Sequence, residues 1–293
     1  SSHAKAKAAA KDDDDEDDDS DSKSLSSSHE FIVLVDTEDA TSLRMATELV
    51  NAAKRAGLKA RAWAGKTSPN AIAKFVDSDG GDFAVTTIDV LGADPKAADL
   101  RAKAPLVARL ANEPFVILAR DGVQDVKQLD GRPVSFGETD GVVDASAQAL
   151  FARLGVAPKI VRENVQTALG SLAAGKIDAL VMFGADESRA VNEAAKGGKL
   201  HALPIPWRDE FADRYAPARL TAKDLPNLMP ADATVETISA PFGVIAIDAP
   251  DGSARATQDA PFVAAMFERH KPLLGAGADP KWREVNLGAE TDW

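Results

Sequence analysis

The stretch from Phe31 to Asp89 constrains the fold most, because short apolar runs and amphipathic segments alternate along it with stop signals between them. Phe31–Val35 is continuously apolar, as in a strand buried on both faces of a parallel sheet. The polar run Asp36–Thr41 follows. A helix is then predicted to run to Ala56, with Met45, Leu49 and Ala53 on one face and Lys54 and Arg55 in the last turn, closed by Gly57. A second strand spans about Leu58 to Ala64. Ser68 as N-cap, with Pro69 at the first helical position, starts the next helix, Asn70–Asp77, which ends at Gly80-Gly81. Phe83–Ile88 is the third strand. Strand and helix in strict alternation predict an α/β lobe built on a parallel sheet.

A weak internal repeat implies a second lobe of the same make. AIAKFVDSDGGDFAVTTID, residues 71–89, and ALGSLAAGKIDALVMFGAD, residues 168–186, each run helix, glycine turn and strand. Both strands end in polar tips: Thr86, Thr87 and Asp89 in one, Gly184, Asp186 and Glu187 in the other. The second lobe also contains Pro133 to Gly155, which reads as a buried strand ending at Phe136, a tight turn at Gly137, a polar loop from Glu138 to Asp144, and a helix. Ala147, Leu150, Phe151 and Leu154 give that helix its apolar face, and Gly155 stops it. In open α/β sheets, ligands bind beyond the carboxyl ends of the strands, where helix N-termini offer unpaired N–H groups. Two lobes with facing strand tips would form a cleft.

A chain of 293 residues with 45% apolar content can bury a sizeable core in one large or two medium domains. No apolar run is long enough to cross a bilayer. The absence of cysteine excludes disulfides, thiolate metal sites and cysteine nucleophiles. The net charge of −12 argues against nucleic acid as a partner. Much of that charge lies before Phe31, in Asp12–Asp15, Glu16, Asp17–Asp19, Asp21 and Glu30. So few apolar groups there cannot offset the entropy of ordering, so residues 1–29 read as a disordered acidic tail. Capture of a hard cation by such a run would lack fixed geometry.

Catalytic motifs are absent. His3, His29, His201 and His270 have no metal-ligand spacing, and His270 sits on a helix with Phe262, Met266 and Phe267. There is no Gly-x-Ser-x-Gly elbow and no HExxH, and Gly65-Lys66-Thr67-Ser68 lacks the upstream glycine of a phosphate loop. Lys66 therefore reads as a solvated loop lysine. Glu138, Asp140, Asp144 and Asp186 would suit paired acid/base work, but helix capping accounts for carboxylates at such positions, Asp144 in particular.

Several spaced segments carry a family resemblance. FVILARDGVQDVKQLDGRPVSFGE (residues 115–138), LAAGKIDALVMFGA (172–185), DLPNLMPADATVETISAPFGVIAI (224–247) and PKWREVNLGAE (280–290) resemble periplasmic solute-binding proteins of the type II class. Within that class they are most similar to the TAXI-type receptors of TRAP transporters. The resemblance implies a two-lobed α/β fold, mostly parallel sheets with an interlobe cleft, and hinge crossings near Ala119–Gly122 and Ser239–Gly243. Lobe one would comprise residues 30–119 and 243–293, and lobe two residues 120–242. It further implies a periplasmic location with the signal peptide removed, a monomer, no enzymatic activity and no cofactor. The partners would be a small polar solute and membrane transporter subunits. The alternative reading is a repurposed protein-interaction or metal-binding module.

Two departures bear on the ligand. Where these receptors carry a Gly-Gly-Thr-Tyr-like loop, this chain has Asp36-Thr37-Glu38-Asp39-Ala40-Thr41. Where they carry a Ser-Gly-Thr-like turn, it has Gly141-Val142-Val143 after Glu138, Thr139 and Asp140. The expected cleft residues are Thr37, Asp39, Thr67, Ser68, Thr86, Thr87, Glu138, Thr139, Asp140 and Phe183. Their acidic balance predicts a cationic, zwitterionic or neutral polar solute in preference to a dicarboxylate.

Overall fold

The computed structural model describes residues 28–76, 80–93, 97–184, 189–268 and 286–287. The acidic run, Asp186, Glu187 and His270 lie outside them. Along the chain, β1 (Glu30–Val35) leads to α1 (Ala40–Arg55), β2 (Lys59–Ala64), α2 (Pro69–Ala73), β3 (Phe83–Thr87), α3 (Ile88–Ala93) and α4 (Ala98–Lys103). The long β4 (Leu106–Arg120) precedes β5 (Pro133–Ser135), α5 (Val142–Leu154), β6 (Lys159–Val161), α6 (Val165–Ala173) and β7 (Ala179–Phe183). Then come α7 (Arg189–Lys196), β8 (Leu200–Ala202), β9 (Ala216–Thr221), the long β10 (Thr234–Ala246), α8 (Ala254–Glu268) and β11 (Asn286–Leu287).

These strands form one mixed sheet in the order β2-β1-β3-β10-β4-β7-β5-β6, with β9 on β10 and β8 and β11 on β4. The strand–helix–strand units supply its parallel pairs: β1 with β2 and β3, and β5 with β6 and β7. The antiparallel pairs come from the two long strands. Leu106 to Pro114 of β4 pairs with β10, and Phe115 to Ala119 pairs with β7. Along β10, Thr234 to Ser239 pairs with β9, and Phe242 to Ala246 pairs with β3. Each long strand thus serves both ends of the sheet, and Phe31–Val35 and Val244–Ala246 both lie beside β3.

Local chemistry accounts for the helix boundaries. Asp39 caps α1 by accepting from the Thr41 N–H and, at 2.7 Å, from the Ser42 hydroxyl. Ser68 caps α2 by accepting from Ala71 N, with Pro69 in the first turn. That helix stops at Ala73, short of the predicted Asp77. Gly155 ends α5 in the left-handed conformation at φ 69°. Residue 29, placed with the tail on composition, instead packs on the fold: the His29 ring sits edge-on to Phe31 at 4.8 Å and its Nε2 meets Asp82 at 3.0 Å.

One apolar cluster runs through both ends of the sheet. Phe83 stacks on Phe262 of α8 at 4.4 Å, and Phe31 joins them at 5.4 Å from Phe262. Further along, Phe183 of β7 contacts Phe115 of β4 and Phe242 of β10, at 4.6 and 5.1 Å. Each fully buried phenyl contributes about 1.5–3 kcal/mol relative to exposure. The chain crosses between the two ends through a packed core.

Candidate functional site

The loops at the carboxyl ends of β1, β3 and β5 meet along a seam, with α5 on its far side. Asp36 follows β1 directly and is almost wholly buried. Its Oδ1 accepts from Glu38 N at 3.0 Å, and its Oδ2 accepts from Val142 N, also at 3.0 Å. Val142 is the first residue of α5, and the N-cap Gly141 offers no side chain to cap it. Asp36 therefore caps, from 106 residues away, a helix start that lacks its own acceptor. This corrects the expectation that Asp144 caps α5. Asp144 lies within the first turn, where it accepts from Asp140 N, Gln148 Nε2 and Arg162 Nε.

Glu38 fills the next position. Its Oε1 accepts from Glu138 N at 2.5 Å, and its carboxylate rests against the Cα atoms of Gly137 and Gly141. A Cβ on Gly137 would lie 2.7 Å from Oε1, so this close approach requires glycine. Lys66, expected to be solvated, instead forms an ion pair with Glu138 across the seam. Ser68 N donates to Asp140 O at 3.2 Å, and Lys74 Nζ lies 3.5 Å from the Asp140 carboxylate.

Four buried carboxylates along the seam are shifted upward. Burial pushes Glu38 up to about 7, with the Asp36 charge adding to the effect. Burial also raises Asp36 and Asp39 above the usual carboxylate range. Partial burial works to lower Lys66, but its bond to Glu138 and the charges on Asp36 and Glu38 hold it above the ordinary lysine value. Burial lifts Asp89, after β3, to about 6. Its Oδ1 accepts from Ser146 of α5 at 3.4 Å, which joins α3 to α5 across the seam.

Three cavities open along this line. One of about 410 Å³ is bordered by Thr37, Asp39, Glu138, Asn164, Gln166 and Phe183. A second, of about 340 Å³, is bordered by Ser68, Asn70, Asp140, Asp144 and Gln148. A third, of about 570 Å³, lies beside the long strands and is bordered by Asp89, Arg109, Asn112, Arg214 and Tyr215. The seam thus gathers Thr37, Asp39, Glu138 and Phe183 at one cavity and Ser68 and Asp140 at another. Thr139 is exposed and borders none of the three. Thr67, Thr86 and Thr87 are fully buried behind the lining, with the Thr86 hydroxyl donating to Thr67 O at 2.5 Å. The reason lies in β3, whose residues are all buried, so its hydroxyls point into protein.

Sequence reasoning missed the third cavity. Asp89 was visible as a strand tip, and Tyr215 is the single tyrosine of the chain, but Arg109 and Arg214 carry no local signal. Among the described residues, no group of three or more His, Asp or Glu is placed to hold a metal ion, and no helix is long and apolar enough to cross a membrane.

A mixed α/β sheet with two long shared strands, and loops closing over cavities between its ends, is the type II periplasmic-binding-protein architecture. Solved structures share it. One titled the substrate-binding protein of an amino acid ABC transporter is 10% identical, with 87% of this chain and 96% of that one covered and a TM-score of 0.52. An amino acid ABC transporter substrate-binding protein from Streptococcus pneumoniae Canada MDR_19A, bound to L-arginine, is 11% identical, with 90% and 98% covered and a TM-score of 0.50. The chain belongs to the family described as NMT1/THI5 like, whose profile matches residues 54–207. No curated protein sequence matches it.

Proposed function

We propose that this protein is an extracytoplasmic receptor that captures a small polar solute in the seam and delivers it to a membrane transporter, with no covalent chemistry. The observation that carries this reading is the meeting of strand-end loops from both ends of the sheet around polar cavities, bridged by Asp36–Val142, Glu38–Glu138 and Lys66–Glu138 contacts. Contacts of this kind form on closure and break on opening. We assign lobe one to residues 30–119 and 243–293 and lobe two to residues 120–242, with the hinge in the long strands. Thr37, Asp39, Ser68, Glu138, Asp140 and Phe183 are its proposed contact residues, and the location is periplasmic. That the structural neighbours serve amino acid ABC transporters favours an ABC-type transporter over the TRAP type implied by the sequence resemblance.

One observation favours a second reading. The N-terminus of α5, where an anionic solute would sit, already holds the chain's own Asp36 and Glu38. In that reading the seam is permanently shut and the protein acts through its surface on another protein. Thermal melting against amino acids, polyamines, sugars, metal ions and dicarboxylates separates the two. A solute at 100 times its Kd adds about 2.7 kcal/mol of stability. A library that leaves the melting temperature unchanged throughout overturns the receptor reading.

A further inference from the structure

The start of α5 is built as an anion position, and the chain fills it with its own side chains. Helix N-termini present unpaired N–H groups and the positive end of the helix dipole, so they take anions. At α5 the N-cap Gly141 brings no side-chain acceptor, and the Val142 N–H donates to Asp36 Oδ2 at 3.0 Å. The Glu138 N–H, in the loop that leads into the helix, donates to Glu38 Oε1 at 2.5 Å. Lys66 adds a cation: it pairs with Glu138, and its charge also acts on Asp36 and Glu38.

Two backbone donors and an ammonium gathered at one place are what a free carboxylate or phosphate would require. Here both acceptors come from the loop after β1, across the seam, and 106 residues separate Asp36 from Val142. The fit is close. A Cβ on Gly141 would meet Asp36 Oδ2 at 3.2 Å and Glu38 Oε2 closer still, and one on Gly137 would meet Glu38 Oε1 at 2.7 Å. Glu38 borders the cavity of about 410 Å³, whereas Asp36 and Val142, each 1% exposed, border none of the three. A solute in that cavity therefore meets Glu38 rather than the helix start.

From this arrangement we propose that Asp36 and Glu38 are specificity-determining residues: a tethered anion that occupies the N-terminus of α5 and bars carboxylates and phosphates from it. The inference rests on the receptor reading above and deepens it by naming what the receptor refuses. A solute anion could take the position only by breaking both bonds and leaving Asp36 buried without its donors, a cost that a solute lacking an anionic group avoids. The position is filled rather than strong. Burial holds both carboxylates above their ordinary range in spite of the donors, so a free anion in their place should bind only in the millimolar range.

The test is anion rescue in the full chain. Sodium acetate and sodium phosphate, against sodium chloride at equal ionic strength, are titrated into the parent, Asp36→Asn, Glu38→Ala and the double variant Asp36→Ala/Glu38→Ala. Binding is read by calorimetry and by the melting temperature. The parent and Asp36→Asn, which keeps the position filled, are expected to show no gain over chloride. The double variant should bind acetate at least about tenfold more tightly than the parent, and Lys66→Gln added to it should cut that affinity about three- to tenfold. Its melting temperature should rise with acetate but not with chloride, a shift read within one protein and so independent of the variant's own stability. Glu38→Ala alone frees the Glu138 N–H, so it should gain acetate binding in smaller measure, and it carries the test if the double variant fails to fold. Acetate or phosphate that binds the parent as tightly as the variants, or that binds none of them, overturns the tethered anion. No arm uses the physiological solute, so the receptor reading stands or falls separately, on the solute library.

Discussion

Replacing Glu38 with glutamine tests the seam most sharply, because glutamine keeps the acceptor that meets Glu138 N and removes only the titration. The carboxyl is held at about 7 against an ordinary value of 4.5. Below about 4.5 it is protonated in the folded and the unfolded chain, and it contributes no pH dependence. Between 4.5 and 7 the folded chain keeps a proton that the unfolded chain has lost, so stability falls as pH rises. Above about 7 the group is ionised in both states and the loss is complete. At about 1.4 kcal/mol per pH unit, the interval corresponds to about 3 kcal/mol.

Glu38→Gln should therefore match the parent near pH 4.5 and exceed it by about 3 kcal/mol at pH 8.5. In calorimetric melting that is a gap of about 5–10 °C opening between those values. The parent's own slope is not diagnostic, since Asp89 at about 6 and Asp259 at about 7 titrate in the same window with the same sign. The difference between variant and parent isolates Glu38, provided the sites are independent. Parallel melting profiles from pH 4.5 to 8.5 would refute the reasoning and place the Glu38 carboxyl in water.

Gly137→Ala should destabilise by about 1–3 kcal/mol through its positive φ of 74° and the clash with Glu38, and Glu38→Ala should restore part of that in the double variant. Gly155→Ala is its control, with a similar φ of 69° but no atom within 4 Å of the added Cβ, so it should cost less in the same melting assay. Asp259→Asn removes a buried carboxylate whose two oxygens have no hydrogen-bond partner and should raise the melting temperature at pH 8.5 but not at pH 4.5. Asp178 opposes burial through bonds from Arg132 and Arg120, at 2.5 and 2.9 Å, that hold it below the usual carboxylate range. Its contribution is present above about 4 and lost in acid, so Asp178→Asn should lower the melting temperature at pH 7 by an amount that shrinks as pH falls below 4.

The elements that sequence made legible are those whose causes lie within a few residues. Phe31–Val35, the helix after Thr41 closed by Gly57, the Ser68-Pro69 start and the Gly155 stop each have local signals, and the structure places each of them within a residue or two. The start of α5 was misplaced because its cap comes from Asp36, a partner 106 residues distant that no local pattern reveals. Lys66 was read as solvated for the same reason, since its partner Glu138 lies 72 residues on. Thr86 and Thr87 have the composition of an open strand tip, yet β3 is buried on both faces, and only the assembled layers decide that.

The same locality explains why the charge balance of the seam cannot be summed from its sequence. Asp39 caps α1, Asp36 caps α5, Asp144 holds Gln148 and Arg162, and Glu138 is paired with Lys66. Each of these carboxylates already faces a donor within the chain, so its charge reaches a solute weakened by that partner. Asp89 is different: it is buried at the start of α3, where Ser146 of α5 donates to its Oδ1 and its Oδ2 has no hydrogen-bond partner. Charge-removing substitutions at Glu138 or Asp144 should accordingly leave the order of solute preference intact. Binding measured across amino acids, polyamines, sugars, metal ions and dicarboxylates in the two variants decides the point, and reordering in either would return the selectivity to the loops.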